Sequence, residues 1–130
     1  MFNRDSLITL ISRLIKDKEN VEHLKNELGT TKSDNGYNTY YLIPKNIDFK
    51  QISITSNKGE LVSATFWGDF DITFSALIEM YEDYRIVYIP HDDIYKFFFN
   101  EKGEYVVCIY NENEVLDSQQ KIDCLEIRTK

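Results

Sequence analysis

The sequence predicts an α+β fold: an N-terminal helix, a mainly antiparallel sheet of about six to seven strands, and a short second helix inserted after the third strand. Three observations carry this. Apolar residues recur at helical spacing before residue 29. From residue 37 the period shifts towards two, in runs rich in aromatic and β-branched side chains. The connections between the later runs are short, which suits antiparallel neighbours.

Leu7, Leu10, Ile11, Leu14 and Ile15 fall on one face of a helix, and Val21, Leu24 and Leu28 extend the stripe. Asn3 or Asp5 can cap its start and Gly29 can end it, while the polar patch Lys16 to Asn20 can split it in two. Thr30 to Gly36 reads as a loop closed by an Asn35-Gly36 turn. Strands are predicted over Tyr37 to Ile43, ended by Pro44, then Phe49 to Thr55 and Glu60 to Trp67, the last two as a hairpin through Asn57-Lys58-Gly59. In that hairpin Ile52 and Ile54 share a face, as do Val62, Ala64 and Phe66. Asp71 or Thr73 can cap the second helix, Thr73 to Asp83, whose stripe is Phe74, Leu77, Ile78 and Tyr81. Arg85 to Ile89 is a β-prone run ended by Pro90, and Ile94 to Phe99 pairs with Glu104 to Tyr110 across Asn100-Glu101-Lys102-Gly103. After a polar connection, Lys121 to Arg128 is the last strand, placed at an edge because its charges would blunt further pairing.

The chain has 130 residues, 42% of them hydrophobic, which fits one domain spanning 1–130. Nine Tyr, eight Phe and one Trp against five Gly and two Pro exclude a disordered chain. A net charge of −7 argues against direct binding to nucleic-acid backbones or to anionic membrane, both of which need a basic surface. Thr9, Ser12 and Arg13 interrupt the first apolar stretch, and no small-residue cleavage site follows, so it reads as a helix rather than a signal peptide. Cys108 and Cys124 lie in strand-like runs without metal-ligand spacing, which fits reduced, buried thiols in the cytoplasm.

No catalytic constellation is expected, nor a cofactor. His23 and His91 lack the local context of a catalytic or zinc motif and read as surface histidines. Asp69 and Asp71 on one loop, with His91, Asp92 and Asp93 on another, could hold a divalent cation only if the loops converged. Turn and cap roles account for these residues, so no metal is expected. Trp67 is either core or an anchor for a partner. The sharper signal is polarised charge: from Asp69 to Asp117 there are twelve acidic side chains against Arg85, Lys96 and Lys102. Glu79, Glu82 and Asp83 would load the C-terminal end of the second helix, where the macrodipole disfavours them. Such a choice points to binding, against the plainer reading of a solvated face.

In size, acidity and helix-then-sheet order, the chain resembles the small cytoplasmic immunity proteins of bacterial contact-dependent and polymorphic toxin systems. The residues that prompt this are the Trp67-Gly68-Asp69-Phe70-Asp71 turn, the acidic segment Thr73 to Asp83, and the acid-flanked aromatic stretch Tyr84 to Phe99. The resemblance implies a non-enzymatic inhibitor that binds a cognate toxin domain, commonly a cationic nuclease. Trp67, Asp69, Asp71, Glu79, Glu82, Asp83, Asp92 and Asp93 are the expected partner-binding residues. The alternatives are an acidic nucleic-acid mimic, a small-molecule-binding domain with a pocket lined by tyrosines, and, least supported, an enzyme using the carboxylates between Asp69 and Asp93.

Overall fold

Antiparallel pairing joins every strand of the chain into one sheet. In the computed structural model, which describes residues 1–130, the elements run α1 (Arg4–Lys16), α2 (Val21–Leu28), β1 (Gly29–Asp34), β2 (Thr39–Pro44), β3 (Phe49–Asn57), β4 (Glu60–Gly68), α3 (Phe74–Met80), β5 (Tyr84–Ile89), β6 (Ile94–Phe99), β7 (Tyr105–Asn111) and β8 (Cys124–Thr129). The strand order is β1-β2-β3-β4-β8-β7-β6-β5. Two meanders, β1 to β4 and β5 to β8, therefore meet where β4 pairs with β8.

The three helices and one face of the sheet share a core. Leu7, Leu14, Leu24 and Leu77 from the helices join Ile52, Ile54, Phe66, Phe97, Phe99, Ile109, Leu125 and Ile127 from the strands in one buried cluster. Alternation along each strand sends the other residues to the opposite face, which no helix covers. There Phe98, Val106 and Cys108 form a small second cluster. Arg85 and Arg128 lie over the Phe98 ring, 4.8 and 5.5 Å from its centroid, so guanidinium planes take the place of a helix above this apolar patch.

Local chemistry sets the helix ends. Asn3 and Ser6 form a reciprocal capping box on α1, Asn20 caps α2, and Thr73, not Asp71, caps α3. The patch Lys16 to Asn20 does break the first helical stretch: Leu61 donates its N–H to Lys18 and Val21 donates to Gly59, which docks the β3–β4 turn into the corner. Lys58 and Gly59 take φ of 53° and 81° in that turn.

Several expectations need correction. Thr30 to Asp34 is not a loop but most of β1, an edge strand whose backbone pairing with β2 needs no apolar side chains. Gly29 ends α2 in an extended conformation, and it is required because a Cβ there would sit 2.2 Å from the Ile43 carbonyl oxygen. Val62 does not share the core face with Ala64: the register shifts between Thr55 and Ser56, so Leu61 turns inward and Val62 outward. The second helix stops at Met80, with Ile78 exposed, so Glu82 and Asp83 lie beyond its end. β8 is not an edge strand but central, between β4 and β7. Its charged residues Glu126 and Arg128 stand on the open face, where water and polar neighbours reach them.

Candidate functional site

At one end of the sheet, alongside the β2–β3 turn, the meander topology gathers three further connections: Asp69–Thr73 after β4, Pro90–Asp93 between β5 and β6, and Glu112–Asp123 between β7 and β8. Together they carry Asp69, Asp71, Asp92, Asp93, Glu112, Glu114, Asp117 and Asp123. Beside them, on the open face, lies a cleft of about 870 Å³. Thr65, Trp67, Tyr110 and Cys124 line it from the strands, and the connection running through Glu112, Leu116 and Lys121 forms a wall. Leu116 is buried and pins this wall to the body of the protein.

Trp67 stands at the end of β4 with its cross-strand partner Cys124, and both point away from the helices. Its half-buried indole therefore belongs to the cleft and not to the helix-side core. Lys50 and Lys121 also border the cleft, and each is paired: Lys50 Nζ with Asp69 Oδ1 and Lys121 Nζ with Asp71 Oδ1, both at 3.3 Å. The Asp71 N–H donates to the Phe2 carbonyl oxygen at 2.7 Å, fastening the N-terminal segment to this loop. Across the strands, the Tyr110 hydroxyl donates to Glu126 at 2.7 Å, and Glu126 also accepts from Arg128. Burial, then this hydrogen bond, pushes the Tyr110 phenol well above its ordinary range.

The expected acidic residues do not form one face. Asp69, Asp71, Asp92 and Asp93 lie at the cleft end. Glu79 belongs to α3 on the other face and is paired with Arg4 at 3.1 Å. Glu82 and Asp83 precede β5 at the far end of the sheet, because α3 carries the chain back before β5 begins. Nor do the loops of Asp69 and His91 converge on a common ion. Between β4 and β6 the sheet inserts β8 and β7, three interstrand spacings or about 14 Å. Asp93 instead takes φ of 51° in the turn and accepts from the Tyr88 hydroxyl at 2.9 Å. The residues whose ligand atoms do come together are Asp17, His23 and Glu27, within 4.8 Å of one another. There His23 Nε2 lies 2.9 Å from Glu27 Oε1 and 3.8 Å from Asp17 Oδ2, a polar brace across the α1–α2 corner.

Sequence reasoning missed Tyr110, Lys50, Lys121 and the Glu112–Asp123 wall as parts of the site. The alternation Cys124, Glu126, Arg128 was the available signal, since it sets a cysteine and two charges on the same face of a strand. The arrangement can present an aromatic floor and a carboxylate rim to a cationic surface. No helix is long and apolar enough to cross a membrane. Compared with protein-family models, curated proteins and solved structures, the chain finds no match.

Proposed function

We propose that this chain is a non-enzymatic binding protein that captures and neutralises a basic protein partner, as the immunity proteins of bacterial toxin systems do. The observation that supports this reading best is the gathering of three acid-bearing connections at the sheet end beside the Trp67 cleft, one of which, through Glu112 and Asp123, lines it. Carboxylates at a rim speed encounter with a cationic partner, and Trp, Tyr and Arg are the residue types that carry binding energy once contact is made. Trp67 and Tyr110 line that cleft on the open face. Asp69, Asp71, Asp92 and Asp93 are the steering residues in this reading, whereas Glu79, Glu82 and Asp83 lie outside the cleft. A second reading, small-molecule binding, draws support from the cleft volume, which falls within the usual range for ligand pockets.

The test is kinetic. A stoichiometric partner is isolated from the native host with the tagged chain, and association is followed for wild type, for Asp69→Lys/Asp92→Lys/Asp93→Lys, and for Trp67→Ala. The charge variant should associate at least tenfold more slowly at low salt, with the gap closing at high salt, and Trp67→Ala should dissociate faster. Equal rates for all three proteins at low salt would overturn the assignment.

A further inference from the structure

The two edges of the sheet are not alike. β1, at one edge, has the sequence Gly-Thr-Thr-Lys-Ser-Asp, and its register with β2 is broken between Thr31 and Ser33, which leaves Lys32 at the irregularity. A bulge and a lysine are the usual defences of an exposed edge. β5, at the other edge, has neither. Its register with β6 runs unbroken from Tyr84–Phe99 to Ile89–Ile94, and its sequence is Tyr-Arg-Ile-Val-Tyr-Ile. Tyr84, Ile86 and Tyr88 are exposed along it. No backbone group of these six residues bonds to anything but β6, so every second residue directs its N–H and C=O outward, unpaired, along about 20 Å of edge. The one cation on the strand, Arg85, is already engaged by Glu101, with Nε and Nη2 each 2.9 Å from a carboxylate oxygen.

What lies at the two ends of this edge decides what can add to it. Glu82 and Asp83 precede it, and Asp92 and Asp93 follow it across Pro90 and His91. An antiparallel second copy would bring Glu82 and Asp83 of each chain close to His91 and Asp92 of the other, like charge against like charge at both ends. A foreign strand carrying Lys or Arg at both ends meets the opposite situation.

We infer that β5 is a strand-addition site for an extended segment of a partner, apolar at alternate positions and flanked at both ends by basic residues. The inference rests on the partner-binding reading above for the class of ligand, and it gives that reading a second contact next to the cleft, since Ile94 at the start of β6 borders both. Main-chain hydrogen bonds supply the pairing, the exposed Tyr84, Ile86 and Tyr88 receive alternate side chains, and the four carboxylates select the charge. The same carboxylates keep the edge from pairing with itself.

The experiment uses synthetic peptides and needs no native partner. The probe is a ten-residue peptide of alternating Thr and Val between Lys-Lys ends; controls replace the lysines by Glu, or N-methylate the backbone along one edge or along the other. Binding to the full chain is read by fluorescence anisotropy, and its location by slowed amide exchange in Tyr84–Ile89. The lysine peptide should bind at least tenfold more tightly than the Glu peptide. Methylation of one edge should abolish binding while methylation of the other leaves it, and the variant Glu82→Gln/Asp83→Asn/Asp92→Asn/Asp93→Asn should lose the charge preference. Binding that ignores methylation of both edges, binding without protection at β5, a Glu peptide that binds equally well, or a wild-type chain that dimerises through β5 would each overturn the inference. Failure here combined with loss of partner association in Trp67→Ala would leave the cleft reading standing.

Discussion

The hydroxyl of Tyr110 donates to Glu126 across β7 and β8, 2.7 Å apart on the face of the sheet that carries no helix. This bond is the middle of a polar chain running from Lys96, over the Tyr110 ring, through Glu126 to Arg128 and on to Phe98. Tyr110→Phe removes the one hydroxyl of this series and leaves Glu126 one partner short. The variant should unfold with about 1.5 to 3 kcal/mol less stability in urea, the range for a hydrogen bond to a charged group. Spectrophotometric titration of wild type should show two tyrosines, Tyr81 and Tyr110, that ionise only after alkaline unfolding, and one in Tyr110→Phe.

The two thiols make a second prediction. Cys108 and Cys124 are free, buried on neighbouring strands, and diagonal to one another, a separation too wide for a disulfide without backbone movement. Burial pushes each up to about 12 from an ordinary 9.0. Alkylating reagents at pH 8 should therefore label neither thiol in the native protein and both after denaturation. Since the unfolded chain ionises them near pH 9, their contribution to stability is complete below that pH. It is lost progressively as pH rises from there towards 12. Denaturation midpoints measured from pH 8 to 11 should fall along that course, and less steeply in Cys108→Ala.

Phe2 gives a third. Its ring lies 5.0 Å from Phe49 and 5.2 Å from Phe70, and its carbonyl accepts from Asp71. Phe2→Ala should cost about 3 kcal/mol, the low end for a buried ring, and chemical denaturation will read it.

The β3–β4 turn gives a fourth. Gly59 holds φ of 81° with open space around its Cα, so Gly59→Ala is strained by conformation alone and should lose about 1 kcal/mol. Exposed Glu79→Lys, by contrast, should change stability by no more than about 0.5 kcal/mol despite losing Arg4, because exposed ion pairs contribute little.

The helices, the β3–β4 and β6–β7 hairpins and seven of the eight strands were legible because each is written in a local pattern of apolar period, cap or turn residue. β1 was not, since Thr-Thr-Lys-Ser-Asp carries no apolar alternation and its pairing comes from the neighbouring strand. The placement of Lys121 to Arg128 at an edge failed for a related reason. Charge on a strand marks an open face as well as an open edge, and Glu126 and Arg128 mark the face. The acidic residues were identified by type but not by location. Whether Asp93 lies near Asp69 or Glu82 depends on strand order, which no local spacing encodes. Trp67 was legible as a choice between core and anchor, and the parity of β4 puts it on the cleft side.

The pairing of β4 with β8 sets an order on the birth of the molecule. Each meander closes through short connections, but the seam between them joins Ser63–Trp67 to Cys124–Arg128, segments far apart in the chain. During synthesis the first four strands and α3 emerge early and must wait with the β4 edge bare, because β8, which covers it, emerges only after all seven other strands. Until then Phe66 and Ala64 lack their flanking neighbours Leu125 and Ile127. A chain without β8 would keep β1–β4 and β5–β7 but have no seam, leaving two sticky half-sheets for chaperones and proteases to find.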